Sequence, residues 1–136
     1  MNPANIVAYG PVIVRNNKLL VTRDEKDCFF KVPGGKPEGR ERPKDTVRRE
    51  LREETGLKCE VGEKLSSLRL EKRPGTSEKV EVELHHYRAD IVGDVRTEDY
   101  EFDGHKVMWL DLEEIKKGKY DVAPNIKFLI ERGEIK

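Results

Sequence analysis

Glu50, Glu53 and Glu54 crowd three carboxylates into one short run that also holds Arg49, with Glu41 a little upstream. At about 100° per residue the three fall within one sector of roughly 100° on a helix. Carboxylates placed like this repel and raise one another's pKa unless something positive sits between them. An oxygen-preferring divalent cation answers that need, and Mg²⁺ or Mn²⁺ would keep water and substrate oxygens in the rest of its shell.

The element that must carry these groups is marked at both ends. Pro33-Gly34-Gly35 reads as a turn, because two glycines and a proline break any helix or strand. Pro43 suits a first helical turn, where its missing N–H costs nothing. Thr46 to Thr55 holds no breaker, and Gly56 supplies the left-handed residue that ends a helix. Val47 and Leu51, four apart, give the helix an apolar stripe to dock on a sheet. Asp45, Arg48 and Arg52 make its solvated side.

The stretch Gly35 to Leu57 resembles the signature box of the Nudix hydrolases. The family pattern is G, five residues, E, seven residues, then R-E-U-x-E-E-x-G-U, with U an aliphatic residue. Gly35, Glu41, Arg49, Glu50, Leu51, Glu53, Glu54, Gly56 and Leu57 fill it without a gap. The lead-in, LLVTR, a loop and FFKVPGG, is similar to the family's as well. The resemblance is specific over about Leu19 to Leu57 and general elsewhere.

That resemblance implies an α+β fold, a mixed β-sheet sandwiched between helices, with residues 1–136 forming one domain. It implies divalent-metal-dependent hydrolysis of the pyrophosphate bond in a nucleoside diphosphate linked to another moiety, such as a nucleoside triphosphate or ADP-ribose. Glu50, Glu53 and Glu54 would ligate Mg²⁺ or Mn²⁺, with a carbonyl at Gly34-Gly35, Gly35 in first place, completing the site. Glu50 and Glu53 are the catalytic candidates within the box. Glu41 and Arg49 would form a salt bridge that pins loop to helix, which suits Arg49's position about 100° round from Glu50. Lys36, directly after the first glycine of the box, is a substrate-binding candidate. Arg23 occupies the place of a substrate-contacting arginine, or is an ordinary arginine at a strand end. Asn125 sits where some relatives read a nucleobase.

Family members also carry an acidic residue in a loop just before a strand with a tryptophan. Trp109 in KVMWLDL fits that strand, so Asp103, then Glu101, is the candidate for a second cation or a general base, against an ordinary acidic surface loop. Pro74 lies at the distance past the box found in ADP-ribose-cleaving members, although the extra N-terminal β-domain common there is not expected here. Two rivals belong to other classes: a catalytically silent Nudix-like nucleotide-binding or regulatory module, and a charged scaffold with an accidental box. The complete carboxylate set speaks against the first, and the improbability of nine matched positions speaks against the second.

Composition sets outer bounds. At 136 residues there is room for one domain. Lys plus Arg and Asp plus Glu are 27 each, and this balance argues against general nucleic-acid binding. Charged residues reach 40%, Glu is twice as common as Asp, and Gln is absent. That pattern predicts a heat-adapted protein. Cys28 and Cys59 are too few and too far apart for a metal pattern and read as reduced cytoplasmic thiols. No apolar run approaches a membrane span or a signal segment. The expected partner is a small nucleotide, and the resemblance allows a homodimer.

Around the box, Ile6 to Val14 reads as a bent strand, turning at Asn16-Asn17 into Lys18 to Thr22. Cys28 to Val32 is expected to be a short strand, and Lys58 to Leu70 to hold another. Val80 to Val92 alternates, with Val82, Leu84 and His86 on one face. His85 and His86 therefore point to opposite sides and cannot ligate one metal together. Glu113 to Lys119 is a short helix candidate, and Pro124 to Glu131 reads as a closing helix through Ile126, Leu129 and Ile130.

Overall fold

The structure, a computed structural model, describes residues 5–72 and 79–136, so Pro74 lies outside the described residues. Strands β1 (Asn5–Val12), β2 (Val14–Arg15) and β3 (Lys18–Asp24) precede helix α1 (Pro43–Thr55). Next come β4 (Lys58–Lys64), β5 (Leu68–Lys72) and the long β6 (Lys79–Val92). The chain closes with β7 (Tyr100–Phe102), β8 (His105–Asp111), α2 (Leu112–Lys116) and α3 (Pro124–Glu131).

The strands form two four-stranded sheets. In the first, β6 is flanked by β1, parallel to it, and on its other edge by β4 and β5, both antiparallel. The second runs β2-β3-β8-β7, antiparallel throughout. The β2–β3 turn places Asn16 and Asn17 at φ 51° and 63°, the two left-handed residues that a tight hairpin demands.

Side-chain alternation divides the core. Val12, Leu19, Val21 and Leu110 pack with Ile115, Ile126 and Leu129 from α2 and α3. Their neighbours Ile13, Leu20 and Val107 pack instead with Val47 and Leu51 of α1. The strands thus bury both faces, one under the box helix and one under the closing helix, as the α/β/α expectation requires.

Two expected elements differ. Cys28 to Val32 forms no strand, because Lys31 bridges to Thr22 and Phe30 to Val122. Each residue is stitched to a different neighbour, so no ladder builds, and Pro33 lacks the N–H to extend one. The single strand expected across Lys58 to Leu70 is two. They pair with successive halves of the 14-residue β6, and the break at Leu65 sends that side chain into the α2–α3 core.

Candidate active site

Helix α1 begins at Pro43, with the Arg42 N–H donating to Asp45 Oδ2 at 3.2 Å. It ends where Gly56, at φ 76°, donates its N–H to the Arg52 carbonyl at 2.8 Å. Val47 and Leu51 are fully buried beneath it, which fixes its rotation about its own axis. That rotation separates the glutamates. Glu54 is driven inward and buried, Glu50 sits at the margin with 15% of its side chain exposed, and Glu53 lies outside at 51%.

The Pro33-Gly34-Gly35 turn lies over this face of the helix. Gly34 N–H donates to Glu54 Oε2 at 2.8 Å, and a Cβ on Gly35 would collide with the Glu50 carboxylate. Any side chain at 35 would therefore force the Glu50 carboxylate to shift. The Gly35 carbonyl, a candidate metal contact, accepts the Tyr9 N–H at 2.9 Å and retains one lone pair.

Arg49 is the positive centre of the array. Its Nε and Nη2 donate to Glu41 Oε2 and Oε1 at 2.7 and 3.1 Å, a two-pronged pair. Nη1 donates to Glu50 Oε1 and Glu53 Oε2, both at 3.0 Å, and Nη2 also reaches the Lys36 carbonyl at 2.8 Å. Glu41 further accepts from Glu38 N–H and Thr46 Oγ1. The hydrogen bond from Arg49 comes first among the causes that hold the Glu41 carboxyl down at about 2. The pair ties loop to helix, and Arg49 also orients two of the candidate ligands.

Glu54 behaves in the opposite way. Burial pushes its pKa up from 4.5 to about 8, with the Glu50 charge adding to the rise and the Gly34 N–H opposing it. Two carboxyl groups forced together in a desolvated corner form a site that favours a proton or a cation. Among the described residues no three acidic, histidine or cysteine side chains gather into a ready cage. A hard ion that keeps water and substrate oxygens fits this arrangement better than one needing a closed shell.

His105 of β8 faces the same corner, its Nε2 3.9 Å from Glu54 Oε1, with Nδ1 buried and unpartnered among the described residues. His105 belongs to no part of the box and carries no motif of its own. Period-two alternation was the available signal, since His105, Val107 and Trp109 share the face turned toward α1. Asp103 stands exposed on the β7–β8 turn at φ 46°, and Glu101 is exposed in β7. Arg23, opposite Lys106, lies with its guanidinium 5.1 Å from the centre of the Phe30 ring and lines a shallow cleft with His105. Lys36 is exposed beside the turn.

On the other side of Gly34 lies a cavity of about 250 Å³. Its walls include Ala8, Tyr9, Phe29, Leu84 and His85, and buried Asn125 contributes from α3. Tyr9 and His85, opposite one another in the β1–β6 register, stack with ring centroids 4.9 Å apart. Gly34 is common to the cavity and the carboxylate corner, so one extended ligand can reach both.

The family model of the NUDIX domain matches residues 5–130. The chain belongs to the Nudix family. It is a Nudix hydrolase, and the family as a whole cleaves pyrophosphate bonds in nucleoside diphosphate derivatives, generally with divalent cations. Among solved structures, the Escherichia coli ORF135 protein is 26% identical, with a TM-score of 0.68 over 90% of this chain and 83% of that one. The MutT protein from Methanosarcina mazei Go1 is 23% identical, with a TM-score of 0.73 over 97% and 94%. A Nudix hydrolase from Nitrosomonas europaea is 20% identical, with a TM-score of 0.74 over 93% and 86%. These last two establish the fold alone. No curated protein sequence matches the chain.

Proposed function

We propose that this Nudix hydrolase cleaves the pyrophosphate bond of a nucleoside diphosphate joined to a second group, with Mg²⁺ or Mn²⁺ as cofactor. A nucleoside triphosphate or ADP-ribose is the expected type of substrate. The observation that carries this reading is the buried Glu54 pressed against Glu50 beneath Gly34 and Gly35. Glu50 and Glu54 would hold the cation, joined by Glu53 from the helix margin and by the Gly35 carbonyl. When bound, the cation would supply Lewis acidity to the phosphate oxygens and offset charge building on the bridging oxygen.

The chain's own groups do the remainder. Arg49 keeps Glu50 and Glu53 directed at the site through its Nη1. Glu50 takes the proton of the attacking water, in preference to Asp103, because Glu50 lies at the carboxylate corner and Asp103 stands exposed on a hairpin tip. Water oxygen bonds to one phosphorus, the P–O bond to the bridging oxygen breaks, and two phosphate-bearing fragments leave. The cavity beside Gly34 would take the nucleoside, with Asn125 against the base. Arg23 and Lys36 would meet the charged remainder. Free thiols at Cys28 and Cys59 support a reducing, cytoplasmic setting.

A phosphate-release screen with Mg²⁺ and Mn²⁺ tests the proposal. It would cover ADP-ribose, common and oxidised nucleoside triphosphates, dinucleoside polyphosphates and capped RNA. The expected result is metal-dependent turnover that falls at least about a hundredfold in Glu53→Gln, consistent with loss of one charge-stabilising group. Full activity in a folded Glu53→Gln protein would remove Glu53 from the ligand set. No turnover of any substrate would overturn the enzymatic reading.

A further inference from the structure

The cavity beside Gly34 contains a polar arrangement that hydrolysis does not itself require. His86 is 1% exposed and Asn125 is 6% exposed, yet both are polar and both line the cavity. His86 Nδ1 lies 2.8 Å from the Ser66 carbonyl oxygen, and its Nε2 lies 2.9 Å from Asn125 Nδ2. A carbonyl can only accept, so Nδ1 carries the proton. Burial pushes the His86 pKa down and keeps the ring neutral, so Nε2 is left as an acceptor. Asn125 must then turn its NH₂ toward the histidine. Its Oδ1 is the remaining amide atom, with no donor among the described residues. The polarity of the asparagine is thus set by a backbone carbonyl acting through an imidazole that lies 39 residues away in sequence.

We propose that His86 is a specificity-determining positioning residue: it holds Asn125 with Oδ1 free, so that the cavity accepts a ring presenting an N–H donor at that edge. The proposal rests on reading the cavity as the nucleoside site, and it deepens that reading. Aromatic and aliphatic walls contact the faces of a planar ring whatever its identity, whereas one fixed acceptor discriminates at the edge. A base that lacks the donor would leave Asn125 Oδ1 buried without a partner. That costs enough to lower kcat/KM by about five- to a hundredfold.

The test pairs each nucleotide substrate with an analogue that lacks the edge donor and adds no bulk, adenine against unsubstituted purine and cytosine against pyrimidin-2-one. The unmutated enzyme should discriminate within at least one pair. His86→Asn keeps a donor for the Ser66 carbonyl but withdraws the acceptor from Asn125, whose amide can then present either end. Discrimination in that variant should shrink to within about twofold, with the change in KM larger than in kcat. Long-range ¹⁵N spectra of the unmutated protein provide a second readout, independent of how the variant folds. They should show His86 protonated at Nδ1 and bare at Nε2.

A proton on Nε2, or unchanged discrimination in a folded His86→Asn enzyme, would overturn the lock. Asn125→Ala separates this failure from that of the underlying reading. If Asn125→Ala loses discrimination and His86→Asn does not, the cavity holds the base but His86 does not orient the reader. If neither variant moves it, the cavity is not the base site and the lock falls with it, while turnover in the substrate screen stands independently.

Discussion

Replacing Glu54 by Gln should make the metal-free protein more stable and the enzyme inactive. The buried carboxyl has its pKa raised from 4.5 to about 8, first by desolvation and then by the charge on Glu50. Because the folded value is raised, the native state holds a proton that the unfolded chain has already released. The associated stability is complete below about pH 4.5 and is lost as pH rises through about 8. At pH 7 the gap from the unfolded value is about 2.5 units, and at nearly 1.4 kcal/mol per unit the loss is about 3 kcal/mol. Gln has no charge to desolvate. Its Oε1 can accept the Gly34 N–H and its NH₂ can donate to Glu50, reproducing the protonated acid. For a domain of this size the gain should raise the melting temperature by about 10 °C. Urea denaturation in chelator at pH 5 and pH 8 measures it directly. The unmutated protein should weaken between the two, and the variant should weaken less. Added Mg²⁺ should narrow the difference at pH 8, because an ion bound only to the native state stabilises that state. A Glu54→Gln protein that is no more stable than its parent at pH 8 in chelator would refute the assignment of Glu54 as a destabilised, ligand-poised carboxyl.

Other consequences can be measured on the same preparation. Arg49→Lys keeps a positive charge but loses the planar fork that spans Glu41, Glu50, Glu53 and the Lys36 carbonyl. It should lower kcat by at least about tenfold, as expected for a lost charge-assisted contact, and unmoved kinetics would remove Arg49 from the positioning of the ligands. Gly35→Ala places a methyl against the Glu50 carboxylate; it should cost about 1–3 kcal/mol by overpacking and abolish metal-dependent turnover. Normal activity in that variant would show that Glu50 can move aside freely. The Glu-rich, Gln-free composition leads to an expected melting temperature above about 65 °C, the upper end of the mesophilic range. Calorimetry giving a lower value would remove the heat-adapted reading.

What the sequence determined by itself is local. Pro43, the breaker-free run after it and Gly56 define α1, because caps and helix propensity act over single turns. The 3.6-residue repeat puts Glu50, Glu53 and Glu54 on one sector, and the box spacing was enough to name the family. The Asn16-Asn17 turn and the closing helix were legible for the same reason.

Tertiary structure decided which of those carboxylates matters in which way. Helix periodicity treats Glu53 and Glu54 as near equals, but burial of Val47 and Leu51 against the sheets rotates Glu54 into the interior and leaves Glu53 outside. The parallel pairing of β1 with β6, the opposed use of Phe30 and Lys31, and the approach of His105 to Glu54 all join residues far apart in the chain. So does the chain of contacts from the Ser66 carbonyl through His86 to Asn125. Such contacts carry no local signature. Their geometry depends on how apolar faces cover one another, and that is settled only when the whole chain packs.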